Sequence, residues 1–126
     1  MLKRAIAAVL VATGAHAQSG ENSIFGLYDH FAIAQVVGEA CTGPTETEAL
    51  AFMAKFEELG ALTETEALAA NPDLTTQSFK QFSARRRHSL QASVSQFLSV
   101  EGCDHAEAKA LAAKYAEFRE MDLPTP

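Results

Sequence analysis

The chain reads as an all-α protein: a small, disulfide-stapled bundle of four to five helices around an apolar first helix. Three observations predict this. Apolar residues recur at three- and four-residue spacing, without strand-type alternation. Capping signals of the Thr-x-x-Glu or Asp-x-x-Glu kind precede several of these runs. The two cysteines, Cys41 and Cys103, sit beside helical segments in a chain that opens like an exported protein.

The opening reads "MLKRAIAAVLVATGAHAQ". Lys3 and Arg4 precede an uncharged apolar run, and Ala15-His16-Ala17 puts small residues where a signal peptidase needs them. Residues 1–17 are expected to be a secretory signal peptide, cleaved between Ala17 and Gln18. The apolar run is roughly half the 20 residues of a membrane anchor. No cysteine follows the cut to take a lipid, and no later stretch has the length and apolarity of a span. Residues 18–126 then form a single helical domain with flexible ends at 18–23 and 122–126, located in the periplasm or secreted.

The whole chain carries 10 basic and 16 acidic residues, net −6. Cleavage removes Lys3 and Arg4 and no acid, leaving eight bases against sixteen acids, net −8. That balance argues against general binding to nucleic acid or anionic lipid. In an oxidising compartment, Cys41 and Cys103 are expected to pair. The closed loop would contribute at most about 4 kcal/mol by chain entropy. A redox pair or zinc site is the alternative, but there is no C-x-x-C and no cluster at ligand spacing.

The elements follow in order. Ser23 is placed to cap the segment Ile24 to Cys41, whose apolar residues circle the axis, as in a helix central to a bundle. "TGP" ends it. "TETEAL" occurs at 45–50 and again at 63–68, and each copy reads as a capping box, Thr45 with Glu48 and Thr63 with Glu66. The first is expected to open a helix ending at Gly60. The second opens a short helix ending at Asn71-Pro72. The fourth helix starts near Thr75, with Leu74 and Phe79 placed as a hydrophobic staple, and stops at Gly102. Asp104 and Glu107 form a third box, opening a last helix with Ala108, Leu111, Tyr115 and Phe118 on one face. The bridge would then tie the end of the first helix to the start of the last.

"SARRRHSL", residues 83–90, is the basic run. Helical spacing divides it. Phe79, Phe82, Leu90, Val94, Phe97 and Val100 define a face that includes Arg86, with Arg87 on its flank and Arg85 toward solvent. An arginine on an apolar stripe must snorkel, pair with an acid or face a cavity. Glu39 and Asp29 on the first helix are the candidate partners. The competing readings are a structural ion pair, or an anion-recognising guanidinium in a cleft.

No catalytic, metal or cofactor motif stands beside it. His30, His88 and His105 fall on different helices without ligand spacing, and no serine sits in a nucleophile motif. The chain is therefore expected to be non-enzymatic, without metal or cofactor, and not a nucleic-acid binder. It is expected to act in protein interaction, as an adaptor, chaperone-like or structural factor, with residues 24–41 as a possible partner surface. The alternative is a small-molecule or anion binder with Arg86 in an apolar pocket.

Overall fold

The computed structural model describes residues 23–124. The expected leader, 1–17, and its expected cleavage point lie outside them. The four helices are α1 (Ile24–Cys41), α2 (Glu46–Ala70), α3 (Thr76–Glu101) and α4 (Ala106–Arg119). No strand occurs among the described residues.

Local chemistry explains most boundaries. The Ser23 hydroxyl accepts from the Gly26 N–H at 3.2 Å and starts α1. Thr42 ends it, its N–H and hydroxyl both donating to the Gly38 carbonyl. Thr45 and Glu48 form the full capping box of α2, at 3.1 and 2.9 Å. The bond from the Thr45 N–H holds the Glu48 carboxyl below the usual carboxylate range. The Thr75 hydroxyl caps α3 through the Ser78 N–H. Gly102, at φ 78°, ends that helix in a conformation other residues avoid.

Two expected boundaries are corrected. The chain does not break at Gly60, and Thr63 caps nothing: α2 runs unbroken to Ala70. Thr63 is buried in mid-helix, and its hydroxyl donates back to the Gly60 carbonyl. The apolar face Phe52, Phe56, Leu59, Thr63, Ala67 continues through the glycine. Burying that face outweighs a glycine penalty of about 1 kcal/mol. At α4 the cap is His105 rather than Asp104; its Nδ1 accepts from the Glu107 N–H at 3.1 Å.

The first helix is central, packing against α2, α3 and α4. Phe31, Ala32, Ile33, Ala34, Val37 and Gly38 are all buried, and only Gln35 and Val36 between them meet solvent in part. Two apolar clusters share it. Phe31, Phe52, Phe56, Leu59, Tyr115 and Phe118 join α1, α2 and α4. Phe31 stacks on Phe118 with centroids 4.4 Å apart, and Phe52 on Tyr115 at 4.5 Å. Ile33, Val37, Val94, Phe97 and Ala108 join α1, α3 and α4. Beyond α4, Met121 and Leu123 lie against the first cluster. Gly38 is required by contact: a Cβ there would overlap the Tyr115 ring.

The Cys41–Cys103 disulfide joins the end of α1 to the α3–α4 turn, with Cα atoms 5.5 Å apart. It closes the second cluster, where α1, α3 and α4 converge.

Candidate functional site

The inner face of α3 is rotated from the stripe expected from sequence. Phe79, Val94 and Phe97 are buried, and Ser83, Arg87, Leu90 and Gln91 are partly covered. Phe82 and Val100 are 56% and 64% exposed. Stepping by four from Phe82 through Arg86 to Leu90 drifts about 40° per step around a helix. The buried line corrects that drift with steps of three and places Arg87, not Arg86, innermost.

Arg87 lies with its guanidinium 4.7 Å above the Phe56 ring. It donates to Gln35 Oε1 at 3.4 Å, and Gln91 Nε2 donates to the same oxygen and to the Ala32 carbonyl, each at 2.9 Å. This amide bridge between α1 and α3 was not visible in the sequence, because glutamines carry no periodic signal. Arg86, on the outer edge, makes a two-point bond to Asp29: Nε to Oδ1 at 2.9 Å and Nη2 to Oδ2 at 2.6 Å. The Asp29 hydrogen bond raises the Arg86 pKa further, against partial desolvation. Glu39, the other candidate partner, is not brought to either arginine; it accepts from Gln35 Nε2 at 3.3 Å.

The Arg86–Asp29 pair stands at the rim of an apolar groove. The walls are the first turns of α1, the second half of α2 and the first half of α3. One lobe, about 620 Å³, is lined by Gly26, Asp29, Thr63, Glu66 and Arg86 together with Phe25, Phe79 and Phe82. A second lobe, about 520 Å³, shares those three rings and extends to Ala67, Asp73 and Leu74. Phe25 is 42% exposed and Phe82 56%, so both apolar rings border the groove while meeting solvent. Burying such a ring is worth about 1.5–3 kcal/mol. A hollow of about 700 Å³ adjoins on the far side of Phe79, with Glu57, Glu64, Lys80, Arg87 and His88 giving it mixed charge.

The unbroken α2 makes this groove possible. Had the helix ended at Gly60, Thr63, Glu66 and Ala67 would not stand in line as its α2 wall. The sequence signal that could have found it was Thr63 and Ala67 in register with Phe52 and Phe56.

The groove is apolar with charged edges. It holds apolar groups, a neutralised guanidinium–carboxylate pair and two further carboxylates. Among the described residues, no group of three His, Cys, Asp or Glu side chains could hold a metal. None of their helices is long and apolar enough to cross a membrane. No family model, curated protein or solved structure matches the chain.

Proposed function

We propose that this is an exported, non-enzymatic binding protein that engages a protein partner through the groove between α1, α2 and α3. One observation carries the reading. Phe25 and Phe82, from two different helices, stay exposed beside an apolar groove of two connected lobes. Surfaces of that kind mark interaction sites. The rest of α1, the first candidate surface, is covered in its middle, so the partner region narrows to its opening turns.

Export is supported by the Lys3–Arg4 and apolar opening and by Ala15-His16-Ala17, with cleavage before Gln18. The Cys41–Cys103 bridge fits an oxidising periplasmic or extracellular location. The absence of a nucleophile or cofactor motif in the sequence supports a role other than catalysis.

A small amphipathic anion is the second reading, favoured by Arg86 lining the first lobe. Such a ligand has to take the guanidinium from Asp29, which already holds it at two points. That competition ranks it below a partner protein.

The test is a photo-reactive side chain placed at position 82, and separately at Val100, in cells exporting the protein. A discrete partner adduct is expected at 82, lost when Phe25→Asp is added, and absent at 100. Equal labelling at both positions, or none at 82, overturns the groove as the partner surface.

A further inference from the structure

We infer that the occupant of the groove is a cationic amphipathic helix of a partner protein, an inference that rests on the groove being the partner surface. Three features lead there. The first is the charge at its edges. Asp29, Glu66, Asp73 and Arg86 are the carboxylate and cationic side chains lining the two lobes. Arg86, the single cation among them, is committed to Asp29 at 2.6 Å. Glu66 and Asp73 are exposed, and neither is in an ion pair within 4 Å among the described residues. The charge left open to a ligand is therefore negative, in a chain that is itself net −6. Complementary charge both selects the partner and speeds encounter.

The second feature is the aromatic lining. Exposed ring faces attract cations electrostatically, Arg more than Lys. The fold already uses this contact twice, Arg87 over Phe56 at 4.7 Å and Arg119 over Tyr115 at 5.2 Å. Phe25 and Phe82 offer further faces next to the open carboxylates.

The third feature is the backbone. The walls are three helices joined by the α2–α3 turn at Asp73 and Leu74, and away from their end turns the helices bond their N–H and C=O groups internally. An extended peptide laid on them would find no sheet edge, and its own backbone groups would lie unpaired over phenylalanine rings. A helix satisfies its backbone internally and presents only side chains. Two lobes meeting at Phe79 and Phe82, one turn apart on α3, suit apolar anchors one or two turns apart on that helix.

The experiment is a titration of the purified protein with a designed helical peptide. It carries leucines at three- and four-residue spacing and lysines along the flanks of that stripe. Its matched control carries glutamates in place of the lysines. The lysine peptide is expected to bind about tenfold more tightly than the glutamate peptide, with the difference shrinking as salt rises. Phe82→Ser is expected to weaken both peptides, and Val100→Ser neither. Joint Glu66→Lys and Asp73→Lys replacement is expected to reverse the preference. All these positions are exposed, so an unchanged melting temperature checks the fold.

Equal affinity for the two peptides, still lost with Phe82→Ser, overturns the cationic assignment and leaves the partner groove standing. Binding of neither peptide overturns the helical occupant, while the position-82 cross-link decides the groove independently. A protein dimer by light scattering that Phe82→Ser dissociates makes the occupant a second copy and overturns the inference.

Discussion

Arg86 and Tyr115 carry the sharpest expectations for single residues. Arg86→Ala leaves the Asp29 carboxylate, 15% exposed, without its two-point partner. The Arg86 end is 46% exposed, so the expected cost is modest, about 1–2 kcal/mol in a urea melt. Arg85, exposed on the outer side, should cost under about 0.5 kcal/mol when changed to Ala. Equal losses would contradict the placement. Tyr115 is buried, and among the described residues its hydroxyl has no partner of hydrogen-bond geometry; the Arg119 guanidinium lies over the ring, 5.2 Å from its centre. Burial pushes its pKa up, Glu39 adds to that, and Arg119 opposes it. The unfolded chain ionises near pH 10 while the folded one resists. The resulting stability is full below pH 10 and is lost as pH rises beyond it. Tyr115→Phe should stabilise by about 1 kcal/mol and flatten that alkaline decline. An unchanged alkaline decline in the variant would show that Tyr115 is not its cause.

At the scale of elements, the bounds of α1 and α3 were legible because their caps and stops are local. Ser23 and Thr75 supply side-chain acceptors, and the turns at Gly43 and Gly102 leave the helical region. The bounds of α2 were not legible, although "TETEAL" is identical in both copies. The first copy follows Gly43-Pro44, which cannot continue a helix; the second follows Ala61-Leu62, which can. A capping signal therefore opens a helix only where the preceding residues have stopped one. Gly60 tests this, and Gly38 serves as a contrast. Gly60→Ala places its Cβ 3.7 Å from the Tyr28 ring, an ordinary contact, and should stabilise by about 0.5–1 kcal/mol. Gly38→Ala collides with Tyr115 and should destabilise markedly. Destabilisation by Gly60→Ala would indicate a turn at that point.

The arginine run shows a different limit. Charge type and helix periodicity reduced the partners of Arg86 to Asp29 and Glu39, and Asp29 holds it. The rotation of α3 that brings Arg87 inward depends on packing against α1, through Gln35, Gln91 and Ala32. That information is tertiary. The groove is tertiary for the same reason: Phe25, Thr63 and Phe82 come from three helices and share no local pattern.

For the whole molecule, the bridge is the covalent non-local constraint. Cys41 and Cys103 are 62 residues apart, and the bridge ties the central helix to the α3–α4 turn. Thiol titration of the unreduced protein should find essentially none, and reduction should lower stability by up to about 4 kcal/mol. Two reactive thiols in the unreduced protein would contradict the staple. The bridge holds the C-terminal end of α1, while the Arg86–Asp29 pair ties its second turn to α3 beside the groove.

The most direct test of that surface is amide chemical-shift mapping of the isotopically labelled protein during titration with the lysine-bearing helical peptide. Saturable shifts should cluster at Phe25, Gly26, Thr63, Phe79 and Phe82 and leave Val100 and the α3–α4 turn unmoved. Shifts centred on the disulfide end, or spread evenly over the acidic surface, would contradict the groove as the working site.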